Sequence, residues 1–125
     1  MRTYLTVFRY ARDSWRAMVR TPEDRSTAAR TVVEAAGGHL EAFYWMLGED
    51  DGLVIFTAPE PEAAAAVTAA ISASGRVSRM RTTQLLTSEE ARHALEKARV
   101  VSAAYDPPGG QPDWRADYEE GVTAV

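Results

Sequence analysis

The residues best equipped for chemistry are a set of rings with a few polar groups at matching positions. Tyr4, Phe8 and Tyr10 alternate along one segment, while Phe43, Tyr44 and Trp45 are consecutive in another. Arg81 and Thr83 alternate along a third segment, and His39 leads into the second. A hollow with mostly apolar walls and a few converging polar groups is the usual form of a small-molecule site. These eight side chains other than His39 are therefore the candidate ligand-binding set, suited to an aromatic or polyketide-like molecule. The same rings have a second use, since each buries a large area in a core or interface without any ligand. The sequence leaves both uses open.

Acid–base work has three candidates. The His39 imidazole can serve as acid or base, and strand alternation places Glu41, Phe43 and Trp45 on its side, so that Glu41 can orient it. The hydroxyls of Tyr10 and Tyr44 can donate hydrogen bonds to a phenol or enolate. No serine, histidine and acid stand in a recognisable triad context, so whether any reaction is catalysed stays open. Glu49, Asp50 and Asp51 offer carboxylates, but adjacent turn residues wrap an ion poorly and the spacing is not that of a calcium loop. These acids read as a hairpin turn, with Asp51 tying it to backbone amides. His39 and His93 lack metal-ligand spacing, so no metal and no cofactor are expected. Arg76, Arg79 and Arg81 are the densest basic cluster, able to hold an anion or to pair with acids across a sheet.

Composition bounds the setting. The chain has 125 residues, 46% hydrophobic and 26% charged, which is room for one domain whose stability a second copy would help. The formal charge of -4 disfavours nucleic acid, which needs a basic surface. No apolar run approaches the roughly 20 residues of a membrane span, and the opening MRTYLTVFRY lacks the apolar core of a signal peptide. With no cysteine, disulfides and thiolate chemistry are excluded together, and a cytoplasmic location is expected.

The elements that must position these residues follow from periodicity. Thr3 to Tyr10 alternates with apolar groups on both faces, which is a strand covered on both sides. Asp13 to Val19 reads as a short helical turn anchored by Trp15, Met18 and Val19. Thr21 then caps a helix with Pro22 at its first position, its apolar stripe running through Ala28, Ala29, Val32, Val33 and Ala36 to stop at Gly37 and Gly38. Leu40 to Leu47, the acidic turn Gly48 to Gly52 and Leu53 to Ala58 make a hairpin. A helix opens at Pro59 to Glu62, carries the alanines of 63 to 70 against a sheet and closes at Gly75. Arg76 to Leu86 is a fourth strand, with Val77, Arg79, Arg81, Thr83 and Leu85 on one face. A further helix starts at Thr87, whose spacing to Glu90 is that of a capping box, and presents Ala91, Ala94, Leu95, Ala98 and Val101 as its buried stripe. Residues 105 to 125, rich in proline, glycine and acid, read as a tail after a domain of residues 1 to 104.

The order β, α, β, β, α, β plus a C-terminal helix is the α+β, ferredoxin-like arrangement. Its helices cover one sheet face. A second copy, sheet against sheet, would cover the other and form a dimeric α/β barrel, with the aromatic positions at the symmetric seam.

On TYLTVFRYARD, TPEDRSTAAR, AAGGHLEAFYWMLGEDD, LVIFTAPEPEAAAA and RTTQL before TSEEA, the chain resembles the GYD-domain family of the dimeric α/β-barrel, ferredoxin-like superfamily. The resemblance spans about Thr3 to Leu95. Gly48 and Asp51 match the family's Gly, Tyr, Asp turn, but Asp50 stands at the tyrosine position. The resemblance implies this fold and a homodimer, and carries over no catalytic assignment. Superfamily relatives include cofactor-independent monooxygenases, polyketide cyclases, isomerases and ligand-binding regulators, which use the sheet–helix cleft or the barrel interior. The sequence thus points to a small-molecule-binding protein or cofactor-independent enzyme acting on an aromatic or polyketide-like metabolite. The alternative is a non-catalytic oligomerisation or interaction module.

Overall fold

Alternate residues in the middle of the first strand are buried: along β1 (Arg2–Tyr10), Tyr4, Thr6 and Phe8 are sealed while Leu5 and Val7 between them are half-exposed. The computed structural model describes residues 1–110. Four antiparallel strands form one sheet, ordered β2 (His39–Trp45), β3 (Gly52–Ala58), β1, β4 (Val77–Leu85). Strand β1 pairs with β3 through Tyr4 opposite Phe56 and Thr6 opposite Val54, and with β4 through Thr6 opposite Thr82. Helices α1 (Arg12–Arg20), α2 (Ser26–Ala35) and α3 (Pro61–Ala73) connect the strands, giving the ferredoxin-like α+β order with one extra helix after β1. Among the described residues no helix is long and apolar enough to cross a membrane.

The core lies on the face that carries the aromatics. Tyr4, Phe8, Val54 and Phe56 of the sheet meet Val33 of α2 and Ala63, Ala64 and Val67 of α3. The seam expected for those rings is therefore the sheet–helix layer within the chain. The face that α2 and α3 leave uncovered carries aliphatics, Leu5, Val7, Leu53 and Ile55, all half-exposed. Period-two alternation predicts two faces but does not say which of them the helices choose. The larger rings went under the helices, where they bury the most area.

Two local expectations give way. Helix α2 starts at Ser26 rather than after Thr21, because the Asp24 carboxylate accepts from the Ser26 backbone N–H at 2.9 Å and from its hydroxyl at 2.6 Å, holding Pro22 to Asp24 outside the helix. Helix α2 does end as its glycines predict: Gly37 takes φ +85°, and the amides of Gly37 and Gly38 donate to the carbonyls of Glu34 and Val33 at 2.9 and 3.0 Å. In β2 a bulge between Leu40 and Ala42 shifts the register. It puts His39, opposite Thr57, on the uncovered face, while Phe43 and Trp45, opposite Val54 and Gly52, point under the helices. A second bulge, between Arg9 and Tyr10, turns Val77 toward the core, away from the face of Arg79 and Arg81.

Met1–Leu85 form one compact unit, and the residues from Leu86 a second. Within the second, α4 (Ser88–Val101) carries the expected capping box, with Thr87 Oγ1 accepting from Glu90 N at 3.1 Å and Glu90 accepting from Thr87 N at 2.8 Å. A short 3₁₀ turn, Ser102–Ala104, follows. The expected stripe is not buried, Leu95 being 68% and Val101 65% exposed. Helical period identifies an apolar face, not its cover, and a single helix offers no second layer among the unit's described residues. Most of the expected tail, from residue 111, lies outside the described residues.

Candidate functional site

Small helix residues over large sheet residues leave a space between them. Phe8, Phe43 and Phe56 stand up from the sheet, while α2 presents Ala28 and Ala29 and α3 presents Ala70. These alanines cannot fill the gap that Val32, Val33, Val67 and Ile71 partly close. The result is a cavity of about 340 Å³ between sheet and helices. Its walls are overwhelmingly apolar, and Tyr10, Arg25, Ser74 and Arg76 supply the polar groups at one end. The size is at the lower end of small-molecule pockets.

One polar feature also lies along the wall. The hydroxyls of Thr6 and Thr82 are 2.8 Å apart, those of Thr82 and Thr68 2.9 Å apart, and Thr68 donates to the Ala64 carbonyl at 3.2 Å. A hydroxyl has one proton, so the last bond sets the direction of the chain: Thr82 donates to Thr68, and Thr6 donates to Thr82. Thr6, which lines the cavity, is left with acceptor capacity only.

The polar end is built from three connections. Tyr10, at the close of β1, packs edge-on against Phe8 at 5.2 Å and Trp15 at 6.2 Å, and lies 5.6 Å from Trp45. Arg76 follows Gly75, whose φ of +73° suits the sharp turn out of α3. The Arg76 carbonyl accepts from Ala11 N at 3.0 Å and from Ser14 Oγ at 2.7 Å, and its amide donates to Ser74 Oγ at 3.1 Å, so its backbone is tied to α1 and α3. Arg25 reaches the same end from the start of α2. The Glu23 carboxylate, hydrogen-bonded to Arg25, strengthens the guanidinium's hold on its proton; partial burial works against this and the Tyr10 hydroxyl adds to it. On the far side of Tyr10, Arg25 and Arg76 lies a second hollow of about 390 Å³, walled by α1 and the loop after it.

The candidate residues fall in three places. Phe8, Tyr10 and Phe43 line the cavity. Tyr4 and Trp45 share its sheet face but lie outside its wall: Tyr4 stacks on Phe56 at 5.6 Å, its buried hydroxyl without a partner among the described residues, and Trp45 packs on Trp15 at 5.6 Å. His39, Tyr44, Arg81 and Thr83 belong to the opposite face by their register, with Tyr44 64% exposed. Of the three acid–base candidates only Tyr10 reaches the cavity, and no hydrogen bond or ion pair joins His39 to Glu41 among the described residues. Arg25 was not foreseen. It sits inside a stretch that reads as helix, and its role depends on the delayed helix start set by Asp24.

The acidic turn has its own assignments. Asp51 accepts from Tyr10 N at 2.8 Å and from the Trp15 indole at 3.2 Å, so it ties the β2–β3 turn to a backbone amide as its type predicts. Asp50 pairs with Arg79 at 2.7 Å and with Arg81 at 3.5 Å, and Glu49 with Arg79 at 3.3 Å. The hydrogen bond from Arg79 holds the Asp50 carboxyl below the usual carboxylate range, with Arg81 and Arg9 adding to the effect. Among the described residues no three potential ligands cluster to hold a metal ion.

Curated proteins give no match to the chain. The GYD domain model matches residues 4–95, a span that runs from the first core tyrosine through the whole sheet, both cavity-forming helices and the Asp51 turn into α4. The chain therefore belongs to the GYD-domain family.

Proposed function

We propose that this protein binds a small apolar or aromatic metabolite between its sheet and its helices. The observation that carries the reading is the cavity of about 340 Å³, walled mainly by phenylalanine, valine and alanine, with Thr6 along the wall and the other polar groups at one end. A packed core closes such space, since voids beyond the size of a water molecule are few in native interiors. If the bound molecule is also transformed, Tyr10 is the candidate that can touch it, as a hydrogen-bond donor or acid at the polar end. No cofactor is invoked, and the proposed setting is the cytoplasm.

The uncovered face supports a second element of the proposal, a homodimer joined sheet to sheet. Leu5, Val7, Leu53 and Ile55 form a contiguous aliphatic patch across the two central strands, which water would otherwise meet. On its own this patch favours the alternative of a non-catalytic interaction module.

Native mass spectrometry of freshly purified protein, compared with the denatured chain mass, tests both. A dimer with a reproducible small-molecule adduct is expected. A dimer that stays free of adduct after incubation with a library of aromatic metabolites would leave the interaction module as the function. A monomer would remove the dimer.

A further inference from the structure

We infer that the ligand of this cavity is an amphiphilic anion, an apolar body inside the cavity with one carboxylate held at the mouth between Arg25 and Arg76. This rests on the proposed reading of the cavity as a binding site and adds the charge, the orientation and the residues that select for it.

The charges around the hollow are unlike those of the chain. The protein carries a formal -4, yet the residues lining the inner cavity include two arginines and no acid. The outer hollow adds Arg20 and a single carboxylate, Glu23. Arg25 is paired with Glu23, whereas Arg76 has no acidic partner among the described residues. An unmatched guanidinium beside an apolar space is a ready partner for a carboxylate, which it binds through two parallel N–H donors. The backbone of Arg76 is already fixed by hydrogen bonds to Ala11, Ser14 and Ser74, so less ordering remains for a ligand to impose.

Orientation follows from the cost of burying charge. A carboxylate pushed among Phe8, Phe56 and Val67 would lose its water with no cation in return, so the charged end stays at the mouth and the body goes inward. Tyr10 stands between the two hollows, where its hydroxyl can donate to the same carboxylate. Thr6, with only acceptor capacity left, favours a body that carries a hydroxyl or N–H donor. Glu23 competes with the ligand for Arg25, which fixes the sign of its effect: neutralising it should tighten anion binding.

The test uses acid and amide pairs that share one body, 2-naphthoate with 2-naphthamide and decanoate with decanamide, titrated into the full chain by calorimetry. The acid of at least one pair should bind about 10-fold or more tightly than its amide. Arg76→Gln should remove most of that preference and Arg25→Gln part of it, each weakening the acid far more than the amide, and continued amide binding reports that the cavity is still formed. Glu23→Gln should widen the preference. Acid and amide binding equally well, in parent and variants alike, would overturn the anion assignment while leaving the cavity as a binding site. If neither member of either pair binds, and no metabolite adduct is found, both the assignment and the cavity reading fall.

Discussion

The two faces of this sheet are made by the same strands and have opposite characters. Under the helices, rings meet alanines and the packing stays open, with two arginines at the mouth and one carboxylate near them. On the other face, aliphatics lie shoulder to shoulder, and the arginines at its end are matched: Arg79 and Arg81 with Asp50, and Arg79 with Glu49. Arg9 also donates to the Glu49 carbonyl, at 2.9 Å through Nε. One face is left unmatched in charge and hollow in shape. The other is filled in charge and left uncovered. An arginine without an acid beside a hollow suggests a ligand, whereas an arginine matched in place suggests structure.

The sharpest way to break the comparison is to truncate neighbours that point to opposite faces. Phe56 is 1% exposed, and Phe56→Ala should cost about 3–5 kcal/mol. Ile55, one residue back, is half-exposed in the single chain, and Ile55→Ala should cost only about 1 kcal/mol there, below the range for a fully buried aliphatic. Urea melts at several protein concentrations separate the cases. If a second copy covers the open face, the Ile55→Ala loss grows and the parent's midpoint rises with concentration. Equal, concentration-independent losses at the two positions would erase the distinction between the faces.

Next in size is the latch at the end of β1. Asp51→Ala removes the acceptor for Tyr10 N–H and the Trp15 indole, and should cost about 1.5–3 kcal/mol, as for hydrogen bonds to a charged group. Trp15 fluorescence should change in the native baseline before unfolding begins. An unchanged baseline would mean that the carboxylate does not hold the indole. Smaller again is Tyr4→Phe. The Tyr4 hydroxyl is buried without a partner among the described residues, so deleting it should leave stability equal or raise it by up to about 1 kcal/mol. A loss in the same melts would mean that the hydroxyl has a bound partner in solution.

Much of the architecture was legible because it depends on local rules. Alternation marked β1, glycines marked the end of α2, and Thr87 with Glu90 marked the start of α4. Non-local choices were not legible. One extra residue near Glu41 moves His39 to the opposite face from Phe43, and no residue type in HLEAFYW announces that bulge. Asp24 capturing Ser26 delays α2, and this brings Arg25 to the cavity mouth. The rings that line the cavity were identifiable by type. Which polar residues meet them was not, because Arg25 and Arg76 lie 51 positions apart and converge only through the crossing of β1 with both helices.

The smallest effect concerns the matched end of the open face, and it shows as a slope against pH. A ring at position 50 could not pair with Arg79 as the Asp50 carboxylate does. The Arg79 hydrogen bond lowers the Asp50 carboxyl from its ordinary 3.8 in the folded chain. A group lowered on folding stabilises fully above its unfolded value, and that contribution disappears as pH falls through the folded one. Asp50→Asn should therefore be slightly less stable than the parent at pH 7 and should converge with it in strong acid, with the gap closing below about pH 4. Urea midpoints from pH 7 down to pH 2.5 measure this directly. Parallel curves at all pH values would mean that Arg79 does not distinguish charged from neutral at position 50, and the matched face would then be no better satisfied than the mouth of the cavity. Convergence would confirm the contrast from the structural side: at this end the arginine already has its anion, and at the other no acid among the described residues pairs with Arg76.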